Sequence, residues 1–533
     1  MAKPVAVRIL KLTGLILVNL LGIGLIYLLA LRTGAAFVYF GTVSPDTCWL
    51  LKLGSIIANA GAIPKADPFS FTIPLSAAQN DCPPFVVYQW LAEVAFFEAY
   101  RVGKLDGLLI AAAAITALAF LALPLRACLR ANAPVGWSFL AVAAASATAN
   151  LRCFLRPEIF SCLFLAVWLS LLQNLRLKID RAEKPNTDDH SIDWLLIALF
   201  TVLMIIWCNL HTGYVSGIVA IAFYAGAMLL GDARARRPLG AVTKTASLSL
   251  LASLLASLIN PYGVGLWLYL PHLYFAPVNE KIKELQPIVG TQLFEGLHIP
   301  FALLLLLCYG AIFWSLFCDF RAKSPRIRSP MRLSSLLIVV VATGLCLAKR
   351  RLVSLSALFI LFETANFIGF WQLPSVWLPF WCKPVSILLL ELAILLLVPR
   401  AVHDLAGSVI KLSIPQATED FSPPLDAVAY FASNYDGGHI FSSLTIADML
   451  DLYFSPRNSL FIDTRFDAFS DQTRIDYETI IHGRDAWRQL LDRYQIAWVF
   501  VMPKDEIFAL LEREPGWHLV FSRDNARIFK RVQ

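Results

Sequence analysis

Asp46 is the residue with the most chemistry to offer. It stands in the stretch SPDTCWLL, between a first apolar run at residues 9–31 and a second run whose apolar residues recur at helical spacing. A carboxylate at the rim of a membrane is a candidate general base, able to take a proton from an incoming hydroxyl. The same carboxylate suits the N-cap of the helix that follows, as does Ser44. Two basic clusters are the natural counterparts: the triple Lys349, Arg350 and Arg351, and the pair Arg152 and Arg156. An arginine offers a planar, permanently charged fork that matches phosphate oxygens, so both clusters are candidates for holding a lipid phosphate. The plain alternatives are snorkelling to anionic head groups and, for the RPE turn at 156–158, internal pairing through Glu158. Further candidate acids are Asp67, which also suits a turn before Pro68, and Glu93, which with Gln89 and Glu98 also suits the polar face of a helix. His211, in NLHTGY, is either a site residue or a histidine satisfied by a core hydrogen bond.

These residues need a frame, and the composition says which kind. Of 533 residues, 58% are hydrophobic and 16% charged, and the mean hydropathy is +0.65. Soluble domains have about 45–50% apolar and about 25% charged residues. The excess rules out a soluble enzyme, a disordered chain or a nucleic-acid-binding domain as the main architecture and points to a polytopic α-helical membrane protein. The net charge of +7 does not argue for nucleic acid, because most Lys and Arg lie in short loops between apolar runs.

A helix needs about 20 mostly apolar residues to cross a bilayer. About eleven candidate spans follow, at residues 9–31, 108–125, 135–149, 159–175, 194–210, 215–230, 246–258, 301–317, 336–347, 353–370 and 385–398. Alternate short loops carry Arg126 and Arg130, then Arg176 to Lys184, then Arg234 to Lys244, then Arg321 to Arg332. The positive-inside rule makes that side cytoplasmic, with the N-terminus. The long loop at 33–106, the loop at 260–298 and everything after residue 400 then lie outside. The two basic turns named above break the rule, which is why they attract attention. Most of the ten cysteines sit in apolar runs as small core residues; Cys48 and Cys82 share the long outer loop, where they are a candidate disulfide. No CxxC or His/Cys cluster suggests zinc.

The outer loop is not featureless. Trp49, Leu50, Leu53, Ile56 and Ile57 predict an amphipathic helix lying on the membrane surface, ended by Gly61 and Pro64. A second amphipathic helix is expected over residues 86–100. From about residue 402 the composition becomes that of a soluble domain. A Pro-containing linker at 401–424 leads into strand candidates at 439–443, 459–462, 497–502, 518–522 and 527–530. Helical patterns at 425–434, 445–453, 487–494 and 506–513 alternate with them, which predicts a small α/β domain over residues 425–533. Its densest charge cluster is FIDTRFD, with Asp463, Arg465 and Asp467; a strand end closed by an Asp–Arg pair accounts for it without any function.

Together these segments resemble a family. Pro45, Asp46 and Trp49 in PDxxW, the tail IPxxDPFSFT at 63–72 and QWLxE at 89–93 are similar to the polytopic glycosyltransferases of the GT-C superfold, in the branch related to protein O-mannosyltransferases and lipid A aminoarabinose transferases. The chain also resembles bacterial GT-C-like membrane proteins, in RPEIFS at 156–161, WCNLHTGY at 207–214, INPYG at 259–263, IKELQP at 282–287 and FIDTR at 461–465. The resemblance implies a sugar donor on a polyprenyl phosphate, an acid near the end of the first span as base, and arginines at the outer ends of later spans as phosphate ligands. By position these are Asp46, and Arg350 and Arg351 with Lys349, or alternatively Arg152 and Arg156. It also implies acceptor contacts, for which Asp67, Glu93, His211 and Glu284 are candidates near the reacting centre, and Asp463 and Arg465 in the C-terminal domain. Well-studied branches often pair two acids, or an acid pair with a metal; here Pro45 and Thr47 flank Asp46, and the second acid is open between Asp67 and Glu93. No cofactor is called for, and a divalent metal is not indicated.

The expectation is therefore a GT-C-like membrane module at 1–400, a linker, and an extracytoplasmic α/β domain at 425–533. The partners it implies are a polyprenyl-phosphate-linked sugar, a glycan, lipid or protein acceptor, and membrane lipids, with no nucleic acid. The location implied is the bacterial inner membrane, with a periplasmic C-terminal domain. Two alternatives stand beside it: a non-catalytic scaffold, and a lipid or sugar transporter. Transporters tend to show internal repeats and acids in mid-membrane; no clear repeat is visible, and Glu363 and Glu391 are the few mid-span acids.

Overall fold

A computed structural model describes residues 46–78, 84–131, 133, 135–149, 155–182, 191–236, 238–275, 285–294, 298–321, 330–368, 424–454, 459–523 and 525–532. The helices, in chain order, are α1 (Asp46–Ala60), α2 (Thr72–Ala78), α3 (Trp90–Ala117), α4 (Leu123–Arg130), α5 (Val135–Ala149), α6 (Glu158–Ala182), α7 (Trp194–Leu210) and α8 (Tyr214–Arg234). There follow α9 (Ala241–Ala256), α10 (Val264–Phe275), α11 (Ile299–Arg321), α12 (Pro330–Ala348) and α13 (Val353–Ile368). The C-terminal part runs α14 (Leu425–Asn434), β1 (His439–Ser442), α15 (Leu444–Tyr453), α16 (Asp471–Ile481), α17 (Trp487–Arg493), β2 (Ile496–Val501), α18 (Glu506–Leu511), β3 (Trp517–Arg523) and β4 (Ala526–Arg531).

The described residues fall into two units. One comprises those within Leu105–Leu268 and Glu280–Ser408, the other those within Val43–Lys104, Tyr269–Asn279 and Val409–Gln533. The division cuts α3 at Lys104, whose φ of 53° and ψ of −146° break the helix there. A left-handed φ on a residue with a Cβ is uncommon, and the stretches before and after Lys104 are two helices rather than one.

The first unit is helical. Nine of the eleven expected spans fall on its helices; the first and last lie outside the described residues. Among the described residues four stretches are long and apolar enough to cross a membrane: Ile110–Arg130, Glu158–Arg176, Tyr214–Arg234 and Ile299–Phe317. Shorter apolar helices are Trp194–Leu210, Ala241–Ala256 and Leu333–Ala348. Between α3 and α4 the chain widens into a π-helical turn at Leu118–Ala122. Pro124 has no N–H to give the Phe120 carbonyl, and Ser146 Oγ donates to that carbonyl instead, at 3.0 Å. Buried Arg176 donates to Ser335 Oγ at 2.8 Å and lies 3.8 Å from Glu363, which also accepts from Tyr224 and Asn366. This network ties α6, α8, α12 and α13, and it gives the mid-span acid Glu363 a full set of partners, as a polar group buried among helices requires.

The second unit is built on a mixed four-stranded sheet in the order β1-β2-β4-β3, with β1 and β2 parallel and the other pairs antiparallel. Side chains alternate between its faces. Phe441, Val499, Val501 and Phe529 enter one core, and Ile440, Trp498, Phe500 and Ile528 the other. Phe71 and Ile73 join the first core and Cys48 the second. Segments from early in the chain thus complete both faces. The expected strand at 459–462 is reduced to single bridges from Leu460 to Ser70 and to Ile440, and α16 was not expected. The helix anticipated at the membrane surface is α1, and its apolar face is covered by protein: Cys48, Trp49, Leu50, Leu51, Leu53 and Ile57 are buried, against α15. The physical reason is that α15 offers a matching apolar surface, so burial there removes the same area from water that lipid would have removed. Gly54 allows α1 to approach α3 closely, since a Cβ at that position would lie 2.1 Å from the Glu93 carbonyl oxygen.

Candidate active site: an acidic cluster and a basic turn

The second unit gathers the acids. Asp46 opens α1, and its Oδ1 accepts a hydrogen bond from Thr464 Oγ1 at 2.7 Å. The same hydroxyl lies 2.9 Å and 3.1 Å from the two carboxyl oxygens of Asp448, whose Oδ1 also accepts from the Thr464 amide at 3.2 Å. Trp49 Nε1 donates to Thr464 Oγ1 at 3.2 Å. Thr464 comes from FIDTR and Asp448 from α15, so the candidate base is held by the C-terminal segment.

One residue further along FIDTR, Arg465 is 6% exposed. Its Nε donates to both oxygens of Asp463 at 3.0 Å, its Nη2 to Asp463 Oδ2 and its Nη1 to Asp67 Oδ1. The guanidinium also lies over the Phe69 ring at 4.8 Å and the Trp49 ring at 5.8 Å. Asp67 Oδ2 accepts from the Ser70 amide at 2.7 Å and the Phe69 amide at 3.3 Å, which is the turn before Pro68 that its sequence suggested. Asp67, Asp463 and Arg465 thus form one buried triad that spends its charges internally.

Glu93, on α3, is 1% exposed, and its Oε2 has no hydrogen-bond partner among the described residues. Burial pushes its carboxyl up to about 8, against the opposing pull of Arg465 and a hydrogen bond from Gln89. Asp448 is fully buried, and burial together with Asp463 and Asp46 raises it well above the usual carboxylate range. Asp451, one helical turn on, is also fully buried; neither of its oxygens has a partner among the described residues, and burial and Asp463 raise it likewise. Burial raises Asp463 as well, in spite of Arg465. Six carboxyl groups and one guanidinium therefore sit in electrostatic contact. Among the described residues no three His, Cys, Asp or Glu side chains converge to hold a metal ion.

The first unit holds the cations. The turn between α12 and α13 carries Lys349, Arg350 and Arg351, all partly exposed. A preceding strap fixes it: the Arg350 amide donates to the Gln286 carbonyl at 3.1 Å, and the Ile288 amide to Leu347 at 2.9 Å. Arg350 Nη2 donates to Gln292 Oε1 at 2.6 Å, and its buried Nε has no hydrogen-bond partner among the described residues. Arg351 Nε lies 3.7 Å from Glu158 of the RPE turn. The structure therefore brings the two basic turns together, with Glu158 facing Arg351. Arg152 and Glu284 lie outside the described residues, as does Cys82.

His211 sits in the turn between α7 and α8, where its Nδ1 accepts from the Gly213 amide at 3.1 Å and lies 2.8 Å from Ser161 Oγ. Trp207 Nε1 donates to that same Ser161 oxygen at 2.9 Å. The hydroxyl proton is thereby directed at Nδ1, so this nitrogen is an acceptor twice over and closes a turn. A Cβ at Gly213 would fall 2.3 Å from Ser161 Oγ, which is why that turn carries glycine.

Thr464, Asp448 and Asp451 were not singled out from the sequence. The signal for the two aspartates was available: in LTIADMLDLY they share a helix with Ile446, Ala447, Met449 and Leu450, at positions that the apolar pattern assigns to the interior.

The sequence matches no protein-family model and no curated protein. The fold is similar to that of the oligosaccharyltransferase of Archaeoglobus fulgidus. With the structure tethered to an acceptor peptide containing the NVT sequon, the likeness covers 96% of this chain and 74% of that one at 11% identity and a TM-score of 0.55. With the apo form the coverage and identity are the same and the TM-score is 0.51. ArnT from Cupriavidus metallidurans in the apo state also matches, over 98% of each chain at 12% identity and a TM-score of 0.48.

Proposed function

The chain has the GT-C fold of membrane glycosyltransferases, and from that premise we propose that it transfers a sugar from a polyprenyl-phosphate donor to an acceptor at the outer face of the membrane. The observation that carries the reading is the placement of Asp46: a carboxylate at the first turn of α1, oriented by Thr464. The N-terminal turn of a helix favours a negative charge. In the reaction the acceptor oxygen forms its bond to C1 of the sugar as its proton passes to Asp46. The bond from C1 to the phosphate oxygen breaks, its electron pair leaves with the polyprenyl phosphate, and the anomeric centre inverts. Arg350 and Arg351, with Lys349 and Arg156 beside them, neutralise the charge on that leaving group. The buried Nε of Arg350 is the kind of donor a phosphate oxygen satisfies.

Asp463 and Arg465 serve in this reading as a scaffold that sets FIDTR against the outer loop, because their charges are spent on each other and on Asp67. Of the two candidates for a second acid, Asp67 is committed to Arg465, which leaves Glu93. The acceptor is a glycan, lipid or protein hydroxyl. In this reading the protein lies in the bacterial inner membrane, with the N-terminus cytoplasmic and residues 425–533 periplasmic.

The test is transfer by the purified full-length protein from a panel of radiolabelled polyprenyl-phosphate sugars to a membrane or glycan extract, beside Asp46→Asn. Transfer lost in Asp46→Asn with donor binding retained is the expected result. A wild type that binds no such lipid and transfers nothing would end the enzymatic reading and put the scaffold or transporter in its place.

A further inference from the structure

Thr464 is in a position that its chemistry makes informative. A threonine hydroxyl has one proton to donate and two lone pairs to accept with. Trp49 Nε1, which can only donate, takes one lone pair at 3.2 Å. Carboxyl oxygens then stand on two further sides, Asp46 Oδ1 at 2.7 Å and Asp448 Oδ2 at 2.9 Å. The single hydroxyl proton serves only one of them. Were both ionised, the other carboxylate would face an oxygen lone pair at hydrogen-bond distance with no proton between them, in a buried place where nothing screens the repulsion. One carboxyl must bring its own proton.

The surroundings say which. Asp448 is fully buried, whereas Asp46 is partly exposed and opens a helix. The titratable groups facing Asp448 are Asp46 and Cys48 from α1, Asp451 from its own helix, Asp463 from FIDTR and Tyr477 from α16. These are acids or neutral groups; the nearby cation, Arg465, is bound to Asp463 and Asp67 and makes no hydrogen bond to Asp448 among the described residues. Asp448 also meets Thr464 at two points, with Oδ2 beside the hydroxyl and Oδ1 accepting the Thr464 amide proton. A carboxylic acid matches that pattern, donating from one oxygen and accepting at the other.

We infer that Asp448 and Thr464 are positioning residues for Asp46: a protonated Asp448 donates to the Thr464 hydroxyl, which donates to Asp46 and holds it as the carboxylate that proton abstraction requires. The inference rests on the reading of Asp46 as base, and it assigns the C-terminal domain a part in the chemistry. No net proton is gained or lost along the chain during turnover; the acceptor's proton goes to Asp46. The arrangement also makes the base conditional. Only when FIDTR and α15 are folded against α1 does Asp46 receive the Thr464 hydrogen bond.

The experiment is infrared spectroscopy of the full-length protein, with isotope-labelled aspartate, at neutral pH. The wild-type minus Asp448→Asn difference should contain a carboxylic-acid C=O band. In Thr464→Val that band should move to higher frequency as its hydroxyl partner is lost, and in Thr464→Ser it should return. Transfer assays on the same samples add a second readout. Thr464→Val should raise the apparent pKa on the acid limb of kcat/KM by about one unit, an approximately tenfold loss on that limb, with KM little changed, and Thr464→Ser should recover the profile. A merely structural role would lower activity at all pH values alike. A difference spectrum without the acid band means that Asp448 is ionised and overturns the inference. Should Asp448→Asn fail to fold, an acid C=O band that stays put in Thr464→Val overturns it as well. The infrared readout needs no turnover, so a wild type that shows the band and transfers nothing would overturn the glycosyl-transfer reading alone.

Discussion

The acidic cluster and the basic turn treat charge in opposite ways. Around Arg465 the ionisable groups are almost wholly withdrawn from water: Asp67, Glu93, Asp448, Asp451 and Asp463 are each 3% exposed or less. Some charges are paired, as in Asp67–Arg465–Asp463, and burial raises the carboxyls of Glu93, Asp448 and Asp451. At the turn before α13 the three cations are partly exposed, and Arg351 lies a loose 3.7 Å from Glu158. A charge buried with its partner is committed to the fold, because removing one partner leaves the other desolvated. A partly solvated cation with donors to spare is available to a ligand. The first arrangement predicts that substitutions read out as folding, the second that they read out as binding.

The sharpest way to break this contrast is Arg465→Ala. It strands Asp67 and Asp463 without a counter-charge, and losses on breaking a buried pair run to about 3–5 kcal/mol. Thermal melting of the purified protein should fall steeply, and Arg465→Lys should recover little, since lysine lacks the fork that spans both carboxylates. Arg350→Ala should do the reverse. Polyprenyl-phosphate affinity should drop by roughly 10- to 100-fold, the worth of about 1.5–3 kcal/mol for a charge-assisted hydrogen bond, while the melting temperature stays near that of the wild type. A melting loss in Arg350→Ala equal to that in Arg465→Ala would erase the distinction. Gly54→Ala probes the frame beneath the acids. Its Cβ would meet the Glu93 carbonyl, and overpacking of this kind costs about 1–3 kcal/mol.

A different kind of effect is a pH slope. The Glu93 carboxyl is raised from 4.5 to about 8 in the folded protein. Between those values the folded state binds a proton that the unfolded state has released, so stability falls as pH rises, by about 1.4 kcal/mol per pH unit. Glu93→Gln should flatten melting temperature against pH in that window and raise it at the alkaline end. A slope that survives in Glu93→Gln would move the burden to Asp448 or Asp451.

Much of the frame was legible. Apolar run length located nine described helices, because a bilayer imposes a minimum length that composition reveals. Most of the C-terminal strands followed from their β-branched and aromatic runs. The stretch at 459–462 reads as a strand by composition, yet only Leu460 pairs, since Ser70 and Ile440 flank it at single points. Asp46, Asp67, Glu93, Asp463 and Arg465 were all nominated from the sequence and lie in one unit. What composition could not show is that Thr464 and Asp448, more than four hundred residues after Asp46, reach the same spot. Nor could it show that α1 packs on α15: an amphipathic helix reads the same whether its apolar face meets lipid or protein.

The sequence by itself determined that this chain is a polytopic helical protein with a small α/β domain, because hydrophobic periodicity and length are local properties that burial acts on directly. Its motifs also pointed to the GT-C fold. The tertiary structure alone decided which charges are spent and which are kept. Whether a carboxyl is paired, protonated or available depends on what surrounds it within a few ångströms, and for Asp46 and Arg465 those neighbours come from distant parts of the chain.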